Sequence, residues 1–146
     1  MSDKPIKERS SKSSLNKSNE NPPKQQEKPE QKPFNEFIKE HFLPGLTEAL
    51  IAKGIQPNKL EFCNGNRPVT GDNCWMIIGH ITEDRRFWLC FNSDKITSGK
   101  TIAISEHGSI PTVLESFLID ERKITCALLV SRLLQRLNGQ KWLGNN

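Results

Sequence analysis

The sequence predicts an α+β domain: a four-stranded antiparallel meander with a kinked N-terminal helix and C-terminal helices packed on one face. Three observations carry that prediction. Phe34 to Lys53 places apolar residues at spacings of three and four; four short segments between Lys59 and Ser105 are apolar on one or both strand faces, with turn residues between them; and helical spacing returns beyond Pro111. Strands grouped together rather than alternating with helices argue for an antiparallel sheet with one covered face.

The domain begins near Phe34. Of 146 residues, 21 are Lys or Arg and 17 are Asp or Glu, a formal charge of +4. Residues 1–33 hold eight basic and five acidic side chains, and Met1, Ile6 and Leu15 are their only apolar residues among Pro5, Pro22, Pro23, Pro29 and Pro33. Residues 34–146 hold thirteen basic and twelve acidic side chains and 47 apolar residues. A segment so poor in apolar surface cannot offset the roughly 1–2 kcal/mol per residue that ordering a backbone costs. Residues 1–33 are therefore expected to be a disordered polar tail and 34–146 a single domain. Acids interleave with bases in the tail, which favours a solvating linker over a nucleic-acid arm. The tail lacks the apolar stretch of about 7–15 residues of a secretory signal, and no later run approaches the roughly 20 apolar residues of a membrane span. The expectation is a soluble chain whose mature form is the whole chain.

In the first helix, Phe34, Phe37, Ile38, Phe42, Leu46, Ala49 and Leu50 share one face, Asn35 is placed to cap the start, and Gly54 stands at a left-handed stop. Pro44-Gly45 inside it predicts a kink, or two short helices with Pro44 opening the second. Lys59 to Asn64 alternates as a first strand, and Asn64-Gly65-Asn66 with Pro68 supplies a turn. Asn73 to Ile81 is apolar on both faces. Thr82-Glu83-Asp84-Arg85 has hairpin length, and Arg86 to Phe91 sets Phe87, Leu89 and Phe91 against Trp88 and Cys90. Ser98-Gly99 turns into a fourth strand, Thr101 to Ser105. Thr112-Val113-Leu114-Glu115 fits a capping box heading a short helix. Asp120 is placed to start the last helix, with Cys126, Ala127, Val130, Leu133, Leu134 and Leu137 on its apolar face and Asn138-Gly139 at its end.

No catalytic, cofactor or metal motif appears. Cys63, Cys74, Cys90 and Cys126 form no Cys-x-x-Cys pair and have only His41, His80 and His107 between or near them, so they are expected to be reduced, semi-buried thiols. The glycines form no phosphate cradle. His80 and His107 are bases only if folding brings a nucleophile to about 3 Å. Asp120-Glu121 fits acids at a helix start. Two features point to an interaction. Arg85-Arg86 at a hairpin, with Lys95 and Lys100 in the next loop, either gather at one end of the sheet into a basic patch that attracts an acidic partner or stay a solvated hairpin tip. Trp142 and Leu143 beyond the helix stop either fold back on the core, which is favoured, or anchor a partner.

Two stretches then carry a resemblance. Glu115-Ser116-Phe117-Leu118-Ile119-Asp120-Glu121-Arg122-Lys123-Ile124-Thr125, followed by Leu133-Leu134-Gln135-Arg136-Leu137-Asn138-Gly139-Gln140-Lys141-Trp142-Leu143, resembles the closing signature of a cyanobacterial and chloroplast family catalogued as a domain of unknown function, DUF2996. Pro33-Phe34, Phe37-Ile38 and His41-Phe42-Leu43-Pro44 with Leu46 and Ala49-Leu50 resemble its first helix. The family includes subunit V of the photosynthetic NAD(P)H dehydrogenase-like complex, which takes electrons from ferredoxin, reduces plastoquinone and drives cyclic electron flow. The resemblance implies a cofactor-free accessory subunit on the cytoplasmic or stromal arm, beside subunit S and other peripheral-arm subunits and near docked ferredoxin, meeting the thylakoid membrane only through the complex. Arg85, Arg86, Lys95 and Lys100 would then steer and Trp142 anchor; these five are chosen on physical grounds and match no family motif. The alternatives are a nucleic-acid-binding protein using its tail, a small-molecule enzyme using His80 or His107, and an assembly factor.

Overall fold

The computed structural model describes residues 28–143. The chain divides into two units between Lys32 and Pro33. Of the first, Lys28–Lys32 is described and holds one 3₁₀ turn, Pro29–Gln31; the rest of the expected tail lies outside the described residues. No described helix is long and apolar enough to cross a membrane.

In the second unit every residue from Phe34 to Ala52 is helical. Helix α1 spans Phe34–Phe37, a π-helical stretch covers Ile38–Phe42, and α2 spans Leu43–Ala52. Asn35 does not cap the start. Pro33, fixed at φ −53°, occupies the cap and its carbonyl accepts the first helical bond from Phe37 N–H at 2.9 Å. Pro44 stands near the start of the second helix, as one of the two expected readings has it: the π stretch ends at Phe42, and Pro44 sits in the first turn of α2, where a missing N–H costs least. Gly54, at φ 84°, ends α2 as expected: its N–H donates to Ile51 and that of Ile55 to Leu50, closing the last carbonyls.

Five strands follow, one more than the sequence predicts, in the order β1-β2-β3-β4-β5, all antiparallel. They span Lys59–Asn66, Asn73–His80, Arg86–Phe91, Lys100–Ser105 and Glu115–Ser116. Asn64-Gly65-Asn66 extends β1 instead of turning. The ladder runs on to Asn66 opposite Asn73, and the Asn73 amide donates to Asn64 Oδ1 at 2.6 Å. The turn comes later, closed by Arg67 N–H to Asp72 at 2.7 Å, with Val69 and Gly71 at positive φ. The capping box at Thr112 is also absent. Glu115–Ser116 pairs with Thr101 and Ile102 as β5, covering the outer edge of β4 there.

The last helix, α3, spans Cys126–Gly139 and starts at Thr125, whose hydroxyl accepts from Leu128 N–H at 3.1 Å, rather than at Asp120. Ile124, 7% exposed, has already reached the core by then. Gly139 is the last helical residue, and Lys141 takes the left-handed position at φ 62° while its N–H and that of Trp142 donate to Asn138 and Leu137. The expected helices after β4 thus reduce to one.

One main core results. From the sheet come Ile77, Phe87, Leu89, Phe91 and Ile102; from the first helical run Phe34, Phe37, Ile38, Phe42, Leu46 and Leu50; from α3 Leu129, Leu133 and Leu137. The opposite sheet face carries a smaller cluster, Cys74, Met76 and Cys90, with Cys63, Ile78 and Trp88 packed against it. The helices thus share one core with one face of the sheet.

Candidate functional site

The five residues read as an interaction site do not converge. Successive turns of a meander lie at alternate ends, so the hairpin bearing Arg85 and Arg86 and the 92–99 turn bearing Lys95 stand at opposite ends of β3, separated by its length, about 17 Å. Lys100 pairs with Phe91 at the Lys95 end. It is 4% exposed, and its ammonium donates to the carbonyls of Ile96 and Ser98 at 2.7 and 2.8 Å. Burial pushes its pKa below the usual lysine value. Lys100 therefore closes the turn that holds it, and Lys95 remains exposed.

Arg85 and Arg86 are neighbours in sequence but serve different sides. Arg85 lies over the indole of Trp142, 5.8 Å from its centroid. Trp142 is 2% exposed, and its indole N–H donates to Glu106 Oε2 at 2.6 Å. That bond, helped by Gln140, holds the Glu106 carboxyl below the usual carboxylate range. Trp142 and Leu143 thus fold back and clamp the end of α3 to the loop after β4. Arg86, by contrast, lies over Trp88 at 5.1 Å, on the face carrying Cys63, Met76, Ile78 and Cys90, and its Nε is buried with no partner.

That second face has a built polar frame. Arg67, from the β1–β2 turn, is 8% exposed and reaches over the end of the sheet: it donates to Thr101 at 3.0 Å and Asn92 at 2.8 Å, and pairs with Asp72 at 3.2 Å. At the other end, Glu61 pairs with Lys59 at 2.8 Å and meets His80 Nε2 at 3.2 Å, and these two hold its carboxyl below the usual range. Between them lie Cys74 and Cys90. Burial, reinforced by the neighbouring Cys74, pushes the Cys90 thiol up to about 12, which makes it a poor nucleophile. All four cysteines are reduced thiols. The half-exposed Trp88 and Ile78 form the open surface of this face. The signal that finds Trp88 in the sequence is the alternation of β3, which sets it opposite Phe87 and Leu89; Arg67 carries no such signal, because it stands inside turn chemistry.

The histidines stay apart. His41 packs beside Phe37 with its Nε2 buried and unpartnered, His80 meets Glu61, and His107 lies exposed in the loop after β4 at φ 59°. Among the described residues no three His, Cys, Asp or Glu side chains gather as a metal set. A depression of about 830 Å³ runs between α2 and α3 along Gly45, Cys126, Val130 and Leu134. The remaining apolar positions of α3 thus border a groove, while Leu129, outside the expected apolar face, is fully buried.

No curated protein matches the chain. The family model described as "Protein of unknown function (DUF2996)" matches residues 28–144, which takes in α1 through α3 and the Trp142 clamp. The chain belongs to the DUF2996 family.

Proposed function

We propose that this chain is a non-catalytic accessory subunit of the photosynthetic NAD(P)H dehydrogenase-like complex, where it supports ferredoxin docking and so cyclic electron flow. The observation that carries the reading is the family match across residues 28–144, together with the two segments that resemble the family containing subunit V. On this reading the chain sits on the cytoplasmic or stromal side of the thylakoid, beside subunit S. Arg86 and Trp88, a cation on an aromatic ring on the sheet face opposite the helices, form its contact surface toward an acidic partner. Trp142 acts from within, by holding α3 in place, and Arg85 and Lys95 contribute long-range field only.

The test is the rate of ferredoxin-dependent plastoquinone reduction in membranes from a strain lacking the protein. The expected result is a slower rate, restored by the wild-type chain. An unchanged rate would sink the reading.

A further inference from the structure

The fold treats its two sheet edges differently. β5 covers part of the outer edge of β4, but β1 is the other edge and pairs with β2 alone. The bond from Arg67 N–H to Asp72 marks a hydrogen-bonded pair in the β1–β2 ladder. Antiparallel pairs alternate, so Glu61, Cys63 and Gly65 point their peptide groups at β2, whereas Leu60, Phe62, Asn64 and Asn66 point theirs outward. Among the described residues nothing bonds those outward groups. The usual devices that blunt an edge are missing: eight consecutive pairs run without a bulge, no proline interrupts Lys59–Asn66, and the charges of Lys59 and Glu61 are spent on each other.

Beside this edge lies a depression of about 400 Å³ between α2 and β1, lined by Leu43, Pro44, Pro57 and Leu60, with Lys39 on its rim. Lys39 is exposed and has no acidic partner among the described residues. A free strand edge beside a helix, with an apolar depression and an unpaired cation, has the parts that bind a peptide by strand addition: backbone bonds supply affinity and alternate side chains supply choice.

We infer that the outer edge of β1 binds an extended segment of a partner protein as a sixth strand, with an apolar side chain in the Leu43–Leu60 depression and an acidic one facing Lys39. The inference does not depend on which complex the chain serves.

A blocked heptapeptide in which two valines and a glutamate alternate with threonines is a sufficient probe, titrated into the full chain while amide exchange is followed by NMR. The outward N–H groups of Leu60, Phe62, Asn64 and Asn66 exchange freely without peptide and become protected with it. Asn64→Pro removes one outward donor and none of the β1–β2 ladder bonds, so it keeps the far-UV spectrum and weakens binding about tenfold or more. Asn64→Ala, which retains the N–H, binds as the wild type does. Lys39→Glu weakens binding most at low salt. The inference is overturned by no binding at millimolar peptide, by equal affinity of Asn64→Pro and Asn64→Ala, or by protection elsewhere. It is equally overturned if the chain dimerises and the same four amides are protected without peptide, since a second copy then owns the edge.

Discussion

Gly79 is where the sheet is least tolerant of change. It stands opposite Phe87 in the β2–β3 ladder, and the Phe87 ring lies across it: a Cβ built on Gly79 would sit 2.0, 2.4 and 2.7 Å from three ring carbons. Phe87 is fully buried among core residues, so the ring has no free space to retreat into. Gly79→Ala must push the ring or the two strands apart. Overpacking of this kind costs about 1–3 kcal/mol, and this contact belongs at the upper end because three atoms clash and none is the tip of a flexible chain. A loss of about 3 kcal/mol removes a large part of the 5–15 kcal/mol that a domain has. The assay is urea unfolding followed by tryptophan fluorescence and far-UV circular dichroism. A double-mutant cycle isolates the cause: Phe87→Leu alone is destabilising, but in its presence Gly79→Ala becomes nearly free, a coupling of about 1–3 kcal/mol. If Gly79→Ala changes stability by less than about 0.5 kcal/mol, or if the two changes simply add, the ring does not occupy the glycine's space and the reasoning fails.

Three further outcomes follow from the structure. Trp142→Ala removes a fully buried indole and frees the end of α3, so chemical denaturation shows a loss of about 3–5 kcal/mol. Lys100→Glu replaces an ammonium that satisfies two carbonyls and loses about 1–3 kcal/mol, whereas Lys95→Glu on the same turn stays within about 0.5 kcal/mol; thermal melts of the two variants separate a structural lysine from a surface one. Arg136 grips Glu115 with two bonds, 2.7 and 2.6 Å, and holds the Glu115 carboxyl below its usual value. Because its folded pKa is depressed, this pair adds stability above the unfolded glutamate pKa, and the addition is lost as pH falls through the folded value. Glu115 is 42% exposed, so the contribution is screened to about 0.5–1 kcal/mol, and Glu115→Gln flattens the acid limb of the stability profile by that amount.

Where the sequence was legible, one local force was enough. Alternation placed β3 at Arg86–Phe91 to the residue, and glycine's freedom at positive φ placed the stop at Gly54. Apolar spacing found the core face of the first helix, of which only Ala49 stays outside the buried set. Elsewhere a local signal met a tertiary one and lost. Asn64-Gly65-Asn66 has turn chemistry, yet the β2 ladder and the Asn64–Asn73 bond keep it extended. Thr112 and Glu115 have the spacing of a capping box, yet Glu115 goes to Arg136 and its backbone to β4. Lys141, not Gly139, takes the left-handed turn, because closing there lets Trp142 reach the core and Glu106.

The candidate site was less legible because it depends on which end of the sheet each turn occupies. Counting strands between Arg86 and Lys95 already separates them, since one strand places two turns at opposite ends. Burial of Lys100 is different: it follows from the path of the 92–99 turn, which no spacing in the sequence reveals. Arg67 is likewise a turn residue by sequence and a clamp on β4 and the 92–99 turn by contact.

The central claim is membership of the dehydrogenase-like complex, and affinity purification tests it most directly. The full chain, tagged and expressed at its native level, is purified from gently solubilised thylakoid membranes beside an untagged control. The account predicts that subunit S and the other peripheral-arm subunits co-purify in stoichiometric amounts and are absent from the control. Recovery of the tagged chain from the membranes with none of those subunits would contradict it.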